Sequence, residues 1–235
     1  AFHSSLPAAA YTYAIPSALR NKGFRRFGFH GINHQHVAEA VAQQWRAQGN
    51  DPSTLRLISA HLGAGASLAA IRGGRCIDTT MGFTPLEGLV MATRSGTVDP
   101  GLLLELMREG YSTDHLATML QKESGLQALS GFSSDMREIR EAAGQGHNGA
   151  IRALEVFRHR LLQLLGSMAA SLGGVDVLAL TGGIGEHDKD LYEELASALH
   201  WWGDVSISVI PADEEGMIAR LCRRHSSSRA SAPIG

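Results

Sequence analysis

Apolar and polar positions divide the chain into short apolar runs and longer helical stripes. Leu55 and Leu57 lead into an apolar run that ends at His61, after which Gly63 and Gly65 let the backbone turn tightly and leave N–H groups uncovered. Residues 66–71 and 75–79 flank Gly73 and Gly74 and read as a β-hairpin. A further run at 175–180 has the length and composition of a buried strand, and 205–210 reads as another. Between them lie helical stripes. Val37, Ala38, Val41, Ala42 and Trp45 form one, with Asn33 as its N-cap. Leu102, Leu103, Leu106 and Met107 form a second, turned inward behind Asp99 and Pro100, and Leu116, Met119 and Leu120 a third, opened by Ser112 or Thr113. The longest, 148–172, carries Ile151, Leu154, Phe157, Leu161, Leu164, Leu165 and Met168 on one broad face, which suits a core element or a dimer seam. Helices at 190–199 and after the acidic turn 213–215 complete the pattern, with a short helix at 86–91. Residues 1–20, with Pro7 and Pro16, read as loop and short extended pieces, and 226–235 as a disordered tail.

Composition narrows the class. With 235 residues, 44% of them hydrophobic, the chain can bury one large core or two small ones. The 21 basic and 23 acidic residues are well mixed, so neither a nucleic-acid face nor an acidic block stands out. No apolar run approaches a membrane span, and the two cysteines, Cys76 and Cys222, show no pairing pattern, which points to a reducing compartment and a cytoplasmic location. The chain opens on Ala1, Phe2 and His3 with no initiator Met, so it reads as part of a longer polypeptide.

The candidate chemistry sits at the ends of strands. Residues 61–67 fit neither the dinucleotide fingerprint nor the lysine-bearing P-loop, and taken singly they suit a phosphate cradle or a hairpin turn equally. The second strand-to-glycine junction, Thr181, Gly182, Gly183, Ile184, Gly185, Glu186 and His187, tips the balance towards a two-sided nucleotide clamp. His30 and His34 fall at the mouth of a helix. They can be read as polar N-terminal residues, as metal ligands together with His36, or as donors to an anionic group. Metal binding is the weakest of the three, because no Glu stands in a His-Glu-x-x-His pattern and no Cys is near. Arg94 lies in a loop of small residues suited to an anion. Asp135, in a polar turn, reads simply as an N-cap.

These blocks resemble the acetate and propionate kinase family of the sugar-kinase, Hsp70 and actin superfamily, over residues 1 to about 220. Residues 25–34 resemble Arg-Arg-x-Gly-x-His-Gly-Thr-Ser-His, 61–67 resemble His-Leu-Gly-Asn-Gly-x-Ser, and 183–187 resemble Gly-Ile-Gly-Glu-Asn. Residues 78–96 resemble the block that runs from Asp-Thr-Ser-Met-Gly-x-Thr-Pro-Leu-Glu-Gly to Gly-Thr-Arg-Ser-Gly. The resemblance implies an α/β, actin-like ATPase (ribonuclease H-like) fold, a mixed β-sheet flanked by helices. It implies reversible transfer of the γ-phosphoryl of ATP to acetate, or to propionate, with Mg²⁺, in a homodimer; a nucleotide-binding or dimerisation module without catalysis is the alternative. By motif position, His30 and Arg94 match transition-state stabilisers, and His61, Leu62, Gly63, Ala64 and Gly65 the phosphate loop. Asp135, Met136 and Arg137 with Gly183, Ile184, Gly185, Glu186 and His187 match the adenosine side, Phe29 and Pro85 the acyl pocket, and Glu214 the glutamate associated with Mg²⁺. Arg26 and His34 are given support only.

The sequence departs from the family pattern at Ala64 and His187, each in place of asparagine, at Asn33 in place of serine, and at Thr97 in place of aspartate. The resemblance further divides the chain into a nucleotide-binding domain at 1–212, a terminal helix at 213–225 directed at an N-terminal domain, and the tail. In the family a catalytic aspartate lies two residues before the Ala-Phe-His that opens this chain, and the N-terminal domain supplies an asparagine near Mg²⁺ and an arginine for the substrate carboxylate, so the chain alone is expected to be inactive.

Overall fold

The computed structural model describes residues 2–230. A 3₁₀ turn at Phe2–Ser5 and two short helices, α1 (Ala8–Tyr11) and α2 (Ser17–Arg20), precede α3 (Gly31–Ala47). Strands β1 (Arg56–Leu62), β2 (Ala66–Arg72) and β3 (Arg75–Thr79) follow. Helices α4 (Pro100–Arg108), α5 (Thr113–Lys122), α6 (Gly125–Ser130), α7 (Met136–Gly144) and α8 (Asn148–Leu172) lead to β4 (Val177–Thr181). Then come α9 (Gly182–His187), α10 (Lys189–Ala198), β5 (Ser206–Val209) and α11 (Glu214–Ala230).

The five strands form one mixed sheet in the order β3-β2-β1-β4-β5. The β1–β2–β3 meander is antiparallel, and β4 and β5 extend it in parallel to β1. Side chains of β1 alternate between the faces. Ile58, Ala60 and Leu62 join Leu161 and Leu165 of α8 in the larger core, while Leu57 joins Val37 and Val41 of α3 in the smaller one. Each such fully buried leucine contributes about 1.5–3 kcal/mol. Along the α3 face the strands change character. Ser59 and His61 follow Leu57, Ser67 precedes Ala69, and Thr181 follows Ala179, so one end of this layer is apolar and the other polar. The polar end coincides with the carboxyl ends of the parallel pair β1 and β4, where open α/β sheets carry their ligands.

Helix α8 has the expected bounds, opened by His147, whose Nδ1 accepts from Ala150 N, and closed by Gly173 at φ +69°. Several expectations change. Of the stretch expected as loop and extended pieces, residues 2–20 contain helical turns, because Pro7 and Pro16 each stand just before a first turn, where a proline fits. Asn33 is no cap: α3 starts two residues earlier and buries it. Residues 86–91 are a turn and bends rather than a helix, since Glu87 is pinned by Arg26 and Tyr13 and the N–H of Gly88 donates to Thr97 Oγ1 instead of continuing a helix. Helix α4 buries none of its residues, and Leu102 and Met107 stay about half exposed, because periodicity marks a side that can be covered and the core lies elsewhere. Helix α11 runs to Ala230, past the expected end at 225, and packs on α3 through buried Met217 and a hydrogen bond from Arg220 to His36. The last five residues of the expected tail lie outside the described residues. Among the described residues, no helix is long and apolar enough to cross a membrane.

Candidate active site

Strands β1 and β4 run side by side with His61 opposite Thr181, and each leads directly into glycines. After β1 the turn is closed by a hydrogen bond from Gly63 N to Gly65 O at 3.1 Å. After β4 the chain enters α9 at once, so the second junction is a helix start rather than the loop its glycines promise. A Cβ on Gly63 would lie 3.8 Å from Gly183 N, so the two junctions face each other. On one side of this gate a cavity of about 500 Å³ is lined by Gly63, Ala64, Asp135, Met136, Arg137, Gly183, Ile184 and His187. On the other a groove of about 680 Å³ is lined by His30, His61, Gly63, Ala64, Gly65, Gly183, Glu186 and Glu214. The two share Gly63, Ala64 and Gly183 and form one continuous cleft.

The remaining sequence-selected residues take other places. Leu62 is fully buried in the larger core and Gly185 is buried within α9. Glu186 lines the groove, but its Oε1 accepts from Gly182 N and Ala212 N, both at 2.9 Å, and so ties the segment before α11 to the start of α9. Asp135 caps α7 by accepting from Arg137 N at 2.9 Å and pairs with the Arg137 guanidinium, which holds its carboxyl at about 2. Pro85 enters through its carbonyl, which accepts from Arg94 Nη1 at 3.2 Å. Phe29 packs half-buried against the larger core while its carbonyl accepts from His3 Nε2 at 2.8 Å.

His30 stands immediately before α3 in the left-handed conformation, φ +53° and ψ +23°, the one non-glycine residue with positive φ among those described. Such a backbone persists only where its surroundings hold it. Here the ring stacks on His61, 4.2 Å between centroids and 20° between planes, and its Nδ1 lies 2.9 Å from Ser67 Oγ. A Cβ on Gly65 would lie 3.2 Å from His30 Nε2 and 3.5 Å from Arg94 Nη1, so the two groups converge on the same glycine. Arg26 braces the surrounding loop, paired with Glu87 at 2.7 Å and donating to the carbonyls of Thr79 and Thr80.

Burial, with the neighbouring His61 and Arg94, brings His30 down to about 4. Burial also lowers His61 and, most strongly, His34. The imidazoles are therefore neutral at pH 7, and the fixed positive charge at Gly65 is that of Arg94. His61 Nδ1 accepts from the Asn33 amide at 2.8 Å, which leaves its proton on Nε2, the nitrogen nearest Gly63. His36 takes no part: it faces Pro211 and Arg220, so the three histidines do not converge as ligands. Among the described residues no group of three His, Cys, Asp or Glu can hold a metal by itself. Glu214, at the first turn of α11 and on the lining of the groove, fits the different habit of Mg²⁺, which takes one or two carboxylates and completes its shell with phosphates and water.

Sequence reasoning misses Asn33, Ser59 and Ser67 as site residues. Ser59 and Ser67 leave a signal, being polar residues inside otherwise apolar strands, but strands tolerate such residues often enough that only their shared partner His34 makes them meaningful.

Residues 1–219 match the model of the acetokinase family. The chain is 52% identical over 203 residues to the acetate kinase of Acaryochloris marina (strain MBIC 11017), covering 86% of this chain and 50% of that protein. To the acetate kinase of Bacillus subtilis (strain 168) it is 42% identical over 244 residues, 94% and 61% of the two. Its fold is similar to the crystal structures of acetate kinase from Porphyromonas gingivalis, with a TM-score of 0.88 at 38% identity over 93% of this chain and 60% of that one, and of a propionate kinase from Francisella tularensis subsp. tularensis SCHU S4, with 0.84 at 35% over 93% and 61%. The chain thus spans between half and about three fifths of the length of these relatives.

Proposed function

The chain belongs to the acetokinase family, and from that premise we propose that it forms the nucleotide side of an acyl kinase, which moves the γ-phosphoryl of ATP reversibly to acetate to give acetyl phosphate and ADP. The observation that carries the reading is the convergence of His30 Nε2 and Arg94 Nη1 on Gly65 at the gate between the two halves of the cleft.

In this reading adenosine lies in the cavity beside Asp135, Met136, Arg137, Ile184 and His187, and the phosphates cross between Gly63 and Gly183. An acetate oxygen forms a bond to the γ-phosphorus as the bond to the β,γ-bridging oxygen breaks, and that oxygen leaves with ADP. Charge spreads over the three equatorial oxygens, and the protein's task is positioning and electrostatics. Arg94 supplies the fixed charge there. His30 and His61 supply N–H donors held in place before the reaction, an arrangement that needs no proton transfer. Glu214 would hold Mg²⁺ together with the phosphates, and the ion would neutralise their charge. Phe29 and Pro85 border the acyl end. The likeness to the propionate kinase structure supports propionate as the second acceptor.

The reading extends to a homodimer and to the cytoplasm, the latter supported by Cys76 and Cys222 not being joined in a disulfide. Calorimetric titration of the chain with Mg·ADP tests the site: saturable binding is expected, and none at millimolar ADP would overturn it. Hydroxamate trapping of acetyl phosphate tests the division of labour. The chain alone is expected to be inactive, and turnover at the rate of a full-length acetate kinase would contradict its description as one side of the cleft.

A further inference from the structure

Behind His30 runs a line of polar groups that the phosphoryl-transfer reading does not use. His30 Nδ1 lies 2.9 Å from Ser67 Oγ, the same oxygen lies 2.8 Å from His34 Nε2, and His34 Nδ1 lies 2.8 Å from Ser59 Oγ. His34, Ser59 and Ser67 are fully buried, between the first turn of α3, the middle of β1 and the start of β2. Each hydroxyl has one proton, and each neutral imidazole has one. His34 must therefore donate one of its two links and accept the other, while a hydroxyl oxygen can accept two.

Three orders exist. In one, His30 Nδ1 and His34 Nε2 both donate to Ser67, whose own proton is then left in the core, because Ser67 Oγ has no further hydrogen bond among the described residues. In another, His30 Nδ1 donates to Ser67, Ser67 to His34 and His34 to Ser59. The Ser59 proton is then left in the core with no acceptor, because Ser59 Oγ has no other hydrogen bond among the described residues. A buried proton without an acceptor costs the full desolvation of the group. In the opposite order Ser59 donates to His34 Nδ1, His34 Nε2 to Ser67, and Ser67 to His30 Nδ1, and every proton is used. We propose that Ser59, His34 and Ser67 form a proton-ordered relay that fixes His30 as the Nε2–H tautomer, with Ser67 as its positioning residue, so that His30 meets the cleft as a donor and never as an acceptor. The function assigned to the donor rests on the acyl-kinase reading, whereas the tautomer does not.

The relay explains why the His34 side chain is sealed from solvent beside a site it never touches. It also gives His30 the same tautomer that Asn33 gives His61, so the stacked pair presents two N–H donors. Both rings are oriented by buried groups of α3 and of the sheet face it covers, as second-layer groups orient metal-bound imidazoles.

The test is two-bond ¹H–¹⁵N correlation spectroscopy of the imidazoles in the uniformly labelled chain at pH 7.5, without nucleotide. The proton of His30 is expected on Nε2, and an Nδ1–H form would overturn the proposal. In Ser67→Ala, His30 is expected to become a mixture of tautomers while His61 stays unchanged; an unaltered His30 in the folded variant would overturn it. Should Ser67→Ala fail to fold, Ser59→Ala removes the first donor and is expected to give the same mixture, and the unsubstituted chain decides the tautomer in any case. In the active enzyme, Ser67→Ala is expected to lower kcat roughly 10- to 100-fold with KM for ATP nearly unchanged. An unchanged kcat would overturn the positioning role. Because the spectra need neither ATP nor turnover, absence of kinase activity would remove the acyl-kinase reading and leave the relay standing.

Discussion

The imidazole of His30 lies flat against that of His61, with 4.2 Å between centroids and 20° between planes. Two buried rings so placed cannot both carry charge, and burial already lowers His30 to about 4 and His61 in the same direction. His34 and His3, behind them, are lowered by burial as well.

Acid should therefore loosen this fold earlier than carboxylate titration would. An unfolded histidine takes up its proton near 6.5, while His30 resists until about 4, so the unfolded chain binds more protons across that interval. The stabilisation is complete above 6.5 and is lost as pH falls towards 4. Urea midpoints are expected to drop steadily from pH 7 to 5, and a flat profile over that range would show that the histidines are not held neutral.

Gly65 carries no positive φ, so alanine suits its backbone, yet the added methyl would meet His30 Nε2 and Arg94 Nη1. Gly65→Ala is expected to fold normally and to lower kcat at least tenfold by pushing the two donors apart. Equal kcat at equal stability would mean that neither group works at this glycine.

Arg94 is held by Pro85 O at 3.2 Å and by the Met91 sulfur, which fixes the fork of its guanidinium. A lysine keeps the charge but loses that fork. Arg94→Lys is expected to behave much like Arg94→Ala, with kcat down about 10²- to 10³-fold in steady-state assays of the active enzyme. Rescue by lysine to within a few fold would reduce the role of Arg94 to charge alone.

Ala64 is exposed on the gate shared by both halves of the cleft, and its carbonyl is already taken by Ala92 N. Ala64→Asn adds an amide there, and one new hydrogen bond of about 1 kcal/mol corresponds to roughly fivefold tighter ADP binding by calorimetry. Weaker binding would place the phosphates away from residue 64.

Asp135 caps α7 and also borders the adenosine cavity. Asp135→Ala is expected to cost about 1 kcal/mol in chemical denaturation, and Asp135→Asn much less, since an asparagine oxygen can still accept from Arg137 N. Equal losses for the two would assign the stability to the ion pair with Arg137 instead of the cap.

Much of the fold was legible because periodicity reports local geometry. The hairpin through Gly73 and Gly74, the bounds of α8 and its stop at Gly173 all follow from residues within a few positions of one another. The misreadings at 86–91 and at Asn33 arose where distant partners outbid local preference: Glu87 is claimed by Arg26 and Tyr13, and the Asn33 amide by His61 and Thr181. Glu186 shows the same limit, because a motif gives its position while only the folded chain shows its carboxylate holding two backbone N–H groups.

By itself the sequence determined which chemistry is present: two glycine junctions after strands, an arginine among small residues, and histidines at a helix mouth. Tertiary structure decided what state those groups are in. Neutrality of His30 depends on burial and on His61, a residue 31 positions away, and its tautomer depends on a line of protons running through Ser67, His34 and Ser59. Protonation and proton order are set by neighbours in space, and residues on α3, β1 and β2 become neighbours only when the helix is laid across the sheet.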